Sequence, residues 1–346
     1  MKPAVFLLLC AVSCVCQTSP KQPTASRKPL LDQALAWLPA DTETIIGVNG
    51  PYPLPDLGAE SQQNDTEEVE LRSTELELRV KTFALGLLLL KNGGLQDFLK
   101  GKSVTLALEG SRRFRAPTQL GEMLYEGCLI ARFSGTLDHD SYMKSAASSA
   151  KRVESIEGVP IAVFEESLEN DVWTTLVAFP RNNVVLVSTN EDYLRTVLSR
   201  MGGSVGLRAL PASLPEWKFV NTHAPAWGLR HYRKEDAAQD PTSPFQGEAA
   251  ANISDDKATG VTFWFEAVSR RMVTVNYLSS NVKARQILSD HLMLADSESA
   301  SPREFQIRLR QRAPGVVEGT ASLSKTEAFY HLWFGLTAML GHAVYM

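Results

Sequence analysis

Two apolar runs separated by a four-residue turn signal constrain the fold more than any other part of the sequence. The runs are Trp173–Phe179 and Val184–Ser188, and the sequence Pro-Arg-Asn-Asn lies between them at 180–183. β-Branched and aromatic residues favour strands, whereas proline and asparagine favour tight turns. The pattern therefore predicts an antiparallel β-hairpin.

Helical patterns lie between the predicted strands. Leu31, Leu35 and Leu38 recur at helical spacing before Pro39, and Asp138 is placed to cap a second amphipathic helix. Hairpins with interspersed helices are typical of the α+β class. We therefore predict an α+β fold in which antiparallel sheets are built from hairpins and helices pack on one face.

A repeated pattern of strand, helix cap and helix suggests a duplicated unit. Residues 184–190 end in Ser-Thr-Asn before a helical pattern with Arg195, and residues 273–281 end in Ser-Ser-Asn before one with Arg285. The offset between the two copies is about 90 residues. Because such junctions are common, the echo is compatible with duplication and equally with coincidence.

The first residues have the layout of a secretory signal. Met1-Lys2 supplies a cationic start, Ala4–Leu9 is apolar, and small residues continue to Cys16. The apolar part is shorter than the roughly 20 residues that a membrane-spanning helix requires. We expect cleavage near Cys16 and export to the periplasm or the extracellular space. The alternative is a lipoprotein anchored through Cys14, because the preceding Ala-Val-Ser resembles a lipobox.

Cysteine positions exclude a scaffold held by internal disulfides. Of the four cysteines, Cys10, Cys14 and Cys16 lie in the predicted signal, which leaves Cys128 in the mature chain. Stability must then come from a buried apolar core, which a chain of this length can supply. Cys128 lies in an apolar strand pattern, and this predicts a buried, inert thiol rather than a nucleophile.

Composition divides the chain into four parts. After the predicted signal at 1–16, residues 17–30 are rich in Pro, Ser, Thr, Lys and Gln without an apolar period, which predicts a flexible linker. We predict a first α+β domain at 31–203 and a second at 204–346. The second domain contains an acidic, aperiodic stretch at 236–260 that we interpret as a mobile loop.

The C-terminal segment at 328–346 carries no formally charged side chain. Its apolar residues follow helical spacing from Phe329 to Leu340. The predicted helix could close the core, bind a partner or insert into a membrane, and Gly335 and Gly341 make spanning the weaker choice. We expect membrane association only if Cys14 is lipidated or this helix inserts.

Motifs for known catalytic chemistry are incomplete. Gly101-Lys102-Ser103 resembles the end of a phosphate-binding loop, but Gln96 stands where that loop requires glycine. Ser-x-x-Lys occurs without the Lys-Thr-Gly of penicillin-recognising enzymes. His223 and His231 lack a recognisable third metal ligand. We therefore predict no catalytic residues, no metal site and no cofactor.

Two arginine clusters are the candidate ligand-binding residues: Arg112, Arg113 and Arg115, and Arg308, Arg310 and Arg312. The first is expected in the loop after a strand. The second alternates with Ile307 and Leu309, so its side chains should share one sheet face. Guanidinium groups suit phosphate, sulfate and carboxylate groups. The alternative is a solvated face paired with nearby carboxylates.

Net charge limits the kinds of partner. The chain has 35 basic and 39 acidic residues, so the protein as a whole does not attract nucleic acid. Any anionic partner must bind to a local patch.

Four short motifs in the first half resemble one family. They are Leu38-Pro39-Ala40-Asp41-Thr42, Phe98-Leu99-Lys100-Gly101-Lys102-Ser103-Val104, Gly158-Val159-Pro160-Ile161 and Ser188-Thr189-Asn190. Over 31–201 the chain resembles secreted bacterial proteins of unknown function that open with a Leu-Pro-Ala-Asp-Thr strand. The resemblance implies an exported bacterial α+β protein and carries over no functional residues.

The sequence therefore favours an exported, non-enzymatic envelope protein that binds a protein partner or an anionic envelope component. The alternative is a secreted hydrolase whose site is assembled from residues distant in the chain.

Overall fold

The structure is a computed structural model that describes eight stretches of the chain. These are residues 27–53, 94–114, 124–168, 171–204, 206–231, 260–266, 272–278 and 305–323. The predicted signal, almost all of the predicted acidic loop at 236–260, the helix expected after residue 281 and the C-terminal helix at 328–346 lie outside the described residues.

The described residues form twelve strands, four α-helices and one 3-10 helix. The strands are β1 (Thr44–Pro53), β2 (Ser103–Phe114), β3 (Leu124–Phe133), β4 (Arg152–Ile156), β5 (Val159–Leu168), β6 (Asp171–Arg181), β7 (Val184–Ser188), β8 (Ala226–His231), β9 (Gly260–Glu266), β10 (Met272–Leu278), β11 (Phe305–Ala313) and β12 (Val316–Leu323). The helices are α1 (Arg27–Trp37), α2 (Leu95–Leu99), α3 (His139–Ala146) and α4 (Glu191–Met201), and the 3-10 helix spans Pro215–Lys218.

All twelve strands belong to one antiparallel sheet. Its order is β11-β12-β10-β9-β8-β1-β2-β3-β7-β6-β5-β4. The first strand of the chain, β1, lies in the interior, where Ile45 is paired with Gly110 of β2 on one side and with Leu229 of β8 on the other. The segments 31–203 and 204–346, which the sequence suggests are separate domains, therefore contribute strands to the same sheet.

Several local predictions are confirmed. The hairpin predicted from 173–188 is the antiparallel pair β6 and β7. Asp138 caps α3 by accepting a hydrogen bond from the backbone N–H of Ser141 at 3.1 Å. Helix α1 departs from the prediction, because it begins at Arg27 and so includes the last four residues of the linker predicted at 17–30. The coarse prediction of an α+β fold built from antiparallel hairpins agrees with the described residues, which are mostly sheet with few helices.

The main core lies between one face of the sheet and helices α1 and α4. Leu35 and Leu38, from α1 and the turn after it, and Leu194 of α4 pack against sheet residues that include Ile45 and Trp227, and all five are buried. Because strand residues alternate between faces, this cluster uses every second residue of the strands. Burial of these apolar side chains is the main source of stability in the described part of the chain, where Cys128 is a free cysteine.

The opposite face of the sheet also contacts helices, whereas the sequence predicts helices on one face. Phe179 follows the core residue Ala178 and points to the other face. Its ring lies 5.1 Å from that of Tyr142 in α3 and 5.7 Å from that of Phe98 in α2, measured between centroids. Continuous apolar runs such as that of β7 are typical of strands buried on both faces.

Candidate functional site

Arg112 lies at the end of β2 and forms ion pairs with two carboxylates. It is directly opposite Glu126 of β3, and its Nη2 lies 3.0 Å from Glu126 Oε2. Its Nη1 donates to Asp41 in the turn before β1. Burial lowers the pKa of Arg112, and the charges and hydrogen bonds of Asp41 and Glu126 outweigh it, so the net shift is upward. This guanidinium therefore stays charged and joins three segments of the chain.

Arg112, Asp41 and Glu126, here called the Arg112 group, are connected to the start of α4 by hydrogen bonds. Glu126 Oε1 accepts a hydrogen bond from Asn190 Nδ2 at 2.7 Å, and Asn190 Oδ1 accepts one from the backbone N–H of Tyr193 at 2.8 Å. The Tyr193 hydroxyl lies 2.7 Å from Thr42 Oγ1, and its ring lies 5.4 Å from the Arg112 guanidinium. These contacts fix α4 on the sheet.

Arg112 and Arg113 of the first arginine cluster are not in a loop as the sequence suggests. Arg112, Arg113 and the following Phe114 belong to β2, because pairing with β3 extends the strand past Gly110. The side chain of Arg113 and all of Arg115 lie outside the described residues. The described member of the cluster, Arg112, is 27% exposed at its side chain and is held by the protein's own carboxylates.

The second cluster, here called the arginine ladder, is Arg308, Arg310 and Arg312 of β11. Arg308 is opposite Thr320 of β12 and Arg310 is opposite Glu318, which confirms the predicted alternation for these two residues. Arg312 lies at a register shift between Gln311 and Ala313, where the alternation is interrupted. The side chains of Arg310 and Arg312 are 63% and 51% exposed. Strand β11 is at the end of the sheet. The ladder is thus an exposed cationic row on the terminal strand of the sheet that the described residues form.

Glu318 is the carboxylate that the described structure pairs with the ladder. Its Oε1 accepts a hydrogen bond from Arg310 Nε, and its Oε2 lies 3.7 Å from Arg312 Nε. The side chain of Glu318 is 8% exposed, so this carboxylate is enclosed while its arginine partners extend into solvent.

A row of polar residues continues from the ladder into the sheet. Glu318 of β12 is opposite Asn276 of β10, which is opposite Thr262 of β9. Asn276 Nδ2 donates to the backbone oxygen of Phe219 at 2.8 Å and to Thr262 Oγ1 at 3.2 Å. Sequence reasoning missed these buried polar residues. Their strands show polar and apolar alternation, but only the register aligns them with the ladder.

A second polar pair lies at the end of β8. Glu216, in the 3-10 helix, is fully buried, and its Oε1 lies 2.8 Å from Nδ1 of His231. The backbone N–H of His231 donates to the backbone oxygen of Glu43 at 3.0 Å. From the sequence, His231 is a candidate only as a metal ligand together with His223. No motif in the sequence indicates that Glu216 is its partner. A buried carboxylate that orients an imidazole is an arrangement also found in acid–base catalysis.

Cys128 matches its prediction as a buried thiol. Its side chain is fully buried in the core cluster. Burial raises the pKa of this thiol well above its usual range, and the charge of Glu109 adds to the effect. In this environment the thiol remains protonated and is a poor nucleophile.

Among the described residues there is no group of three or more His, Cys, Asp or Glu side chains that could hold a metal ion. The helices in the described stretches are too short and too polar to cross a membrane. No protein-family model, no curated protein and no solved structure matches the chain.

Proposed function

We propose that this chain is an exported, non-enzymatic envelope protein that binds an anionic partner through the arginine ladder. The observation that carries the proposal is the exposure of Arg310 and Arg312, at 63% and 51%, on a strand at the end of the sheet. Within the described residues the ladder has three guanidinium groups beside one carboxylate, Glu318. The local excess of positive charge can attract carboxylate, phosphate or sulfate groups.

The Arg112 group does not share this role in the proposal. Its guanidinium is paired with two carboxylates, Asp41 and Glu126, and is less exposed than those of the ladder. A ligand would have to displace these carboxylates and leave Glu126 buried without its cation. We therefore restrict the proposed binding residues to Arg308, Arg310 and Arg312.

Binding to a short anionic probe tests the ladder. Fluorescence anisotropy with labelled hexaglutamate should show binding that weakens as salt is added. Changing Arg308, Arg310 and Arg312 to Gln should weaken binding by about tenfold or more and reduce the salt dependence.

A matched variant removes the same charge at the far end of the sheet. Changing Lys151, Arg152 and Arg195 to Gln alters three exposed cations near β4 and in α4, each of which has a carboxylate partner in the structure. This variant should bind hexaglutamate nearly as well as the original protein. Equal losses in the two triple variants would mean that net charge alone controls binding and would remove the proposal.

Export is a separate part of the proposal and rests on residues 1–16. Mass spectrometry of protein recovered from the envelope or medium of a bacterial host should give a mature N-terminus near Gln17. A diacylglyceryl group on Cys14 would instead support the anchored lipoprotein.

A secreted hydrolase is the second candidate, and the Glu216–His231 pair is the observation that favours it. A general base needs a second group to orient it, and Glu216 has that position relative to His231. Ester and peptide substrates provide the test. Turnover that is lost on changing His231 to Ala but kept in the ladder variant would favour the hydrolase over the binding protein.

We also infer that the sheet contains two related five-strand units. In the first, the order is β1-β2-β3-β7-β6, and in the second it is β8-β9-β10-β12-β11, with every pair antiparallel. The shared order supports duplication. It matches β10 with β3, whereas the sequence echo matches β10 with β7. Superposition of the two units in a crystal structure tests the inference. Units whose five strands do not superimpose in the same order and direction would contradict it.

A further inference from the structure

Strand β4, at the opposite end of the sheet order from β11, has an exposed apolar residue in its centre. Within the described sheet, β4 pairs with β5 alone. Val153 is 47% exposed, although it lies opposite the fully buried Ala162 of β5. A single exposed valine is ordinary on a protein surface. On a terminal strand, however, it lies beside backbone groups that can pair with a further strand.

The turn between β4 and β5 determines which backbone groups of β4 face outward. The turn residues at 157–158 have φ angles of 52° and 77°, as in the two-residue turns of type I′. The flanking residues, Ile156 and Val159, form a hydrogen-bonded pair in such a hairpin, and the pattern alternates along the strands. The N–H and C=O groups of Val153 and Ser155 therefore point away from β5, where the described sheet has no further strand.

The side chains of β4 are complementary to those of a second copy of β4. Arg152 and Glu154 flank Val153 and lie on the other face of the strand. Their side chains are 42% and 33% exposed, so both are accessible. When two β4 strands run antiparallel with Val153 opposite itself, each Arg152 faces the Glu154 of the other chain. Apolar pairs and opposite charges directly across from one another stabilise neighbouring strands.

We propose that β4 is a homodimer interface, in which two copies of this chain pair antiparallel about a two-fold axis at Val153. The N–H and C=O groups of Val153 in each chain exchange hydrogen bonds with those of Val153 in the other. Two twelve-stranded sheets thereby join into one. The dimer carries an arginine ladder at each end of the joined sheet, because β11 and β4 are at opposite ends of the order.

Charge selects this register over its neighbours. Moving the axis by one residue would place either Glu154 opposite Glu154 or Arg152 opposite Arg152, and like charges directly opposite are unfavourable. The two-fold contact is closed, so pairing stops at two copies. Strand β4 has five residues, and so short an interface predicts a weak association that depends on protein concentration.

Sedimentation of the mature chain tests the dimer. The measured mass should rise with concentration from that of one chain towards that of two, with a substantial dimer fraction at about 0.2 mM. Val153→Lys places two ammonium groups opposite each other and should weaken association by about tenfold or more. Leu207→Lys is the matched control, because Leu207 is also an exposed apolar residue and lies outside β4. A chain that stays single, or a dimer that Val153→Lys leaves intact, would overturn the proposal.

Two charge-reversal variants test the register. Arg152→Glu leaves two carboxylates on this face of β4, and Glu154→Arg leaves two guanidinium groups, so neither variant should pair with itself. Mixed in equal amounts, the two should form a heterodimer, because each carboxylate then faces a guanidinium group. The amides of Val153 and Ser155 should exchange hydrogen about tenfold more slowly in the dimer. A mixture that forms no heterodimer while the original protein dimerises would overturn the proposed register.

Hexaglutamate binding separates this proposal from the proposed function. The ladder variant should dimerise normally and bind the probe weakly. The variant of Lys151, Arg152 and Arg195 should dimerise less and bind the probe normally, because a short probe occupies one ladder at a time. Loss of the dimer in the ladder variant would overturn the assignment of the interface to β4 and leave the ladder as a binding site.

Discussion

The buried carboxylate of Glu216 holds the imidazole of His231, with 2.8 Å between Oε1 and Nδ1. The contact joins the 3-10 helix to the end of β8, and the 3-10 helix also contacts β9. In the described structure, the second carboxylate oxygen of Glu216 has no hydrogen-bond partner. Burying a carboxylate with one oxygen unsatisfied is unfavourable, so the pair orders this turn at a cost in stability.

Two substitutions at Glu216 should distinguish the contribution of the side chain's shape to stability from the contribution of its charge. Glu216→Ala removes the partner of His231 and leaves a cavity, so the free energy of unfolding should fall by about 2–4 kcal/mol. Glu216→Gln keeps the shape and an acceptor for His231 while removing the buried charge, and it should remain within about 1 kcal/mol of the original protein. Urea denaturation measures both. Similar large losses in the two variants would show that the negative charge itself holds the turn.

Substitution of Arg112 should lower stability, whereas substitution of Arg308 should weaken binding of the anionic probe. Arg112→Ala leaves Glu126, which is 8% exposed, without its cation and should destabilise the fold by about 3 kcal/mol. Arg308 is exposed on the edge strand, so Arg308→Ala should change the free energy of unfolding by less than about 0.5 kcal/mol. Denaturation and hexaglutamate binding are measured on both variants. The result that would contradict these roles is a stably folded Arg112→Ala variant that binds hexaglutamate weakly, together with an Arg308→Ala variant that binds it normally.

The contact between Gly47 and Trp227 tests the connection between β1 and β8. A Cβ atom at Gly47 would lie 2.3 Å from two carbon atoms of the buried Trp227 ring, so Gly47→Ala should destabilise the fold by about 1–3 kcal/mol. At Gly135 an added Cβ meets no atom within 4 Å, and Gly135→Ala should stay within about 0.5 kcal/mol. Thermal or urea denaturation compares the two variants. Equal stability of both would contradict the packing of Trp227 over β1.

Alkaline pH should reduce stability through Cys128. Burial raises the pKa of the native thiol, whereas an unfolded thiol ionises near about pH 8.5. Above that pH the unfolded chain loses a proton that the native chain retains, so stability falls by up to about 1.4 kcal/mol per pH unit from this group. Urea denaturation between neutral pH and about pH 10 should give a flatter dependence for Cys128→Ala than for the original protein. The same slope in both would exclude the thiol as the cause.

Tyrosines extend the alkaline effect to higher pH. Burial raises the pKa of Tyr142 and of Tyr193 above the usual range. An unfolded tyrosine ionises at about pH 10, so these groups begin to lower stability at a higher pH than Cys128 does, and above about pH 10 the contributions overlap. The slope between about pH 8.5 and about pH 10 therefore reports mainly on Cys128.

The strands and caps that the sequence predicts depend on residues close together in the chain. The hairpin of β6 and β7 follows from two apolar runs and the turn between them, and Asp138 caps α3 three residues before its hydrogen-bond donor, Ser141. The shared face of Arg308 and Arg310 follows from the two-residue period of a strand. Each feature is determined over a few residues, so composition and spacing reveal it.

The arrangement of the strands, and with it the environment of each candidate residue, was decided by the tertiary structure. Pairing with β3 carries β2 through Arg112, where the sequence suggested a loop, and brings in Glu126 as a partner. Strand register likewise places Glu318 opposite Arg310. The 3-10 helix, which is distant in the chain from the end of β8, brings Glu216 to His231. Strand periodicity specifies which face a side chain occupies, but many pairings of twelve strands satisfy it. The choice among them depends on burial and hydrogen bonds shared by segments far apart in the chain.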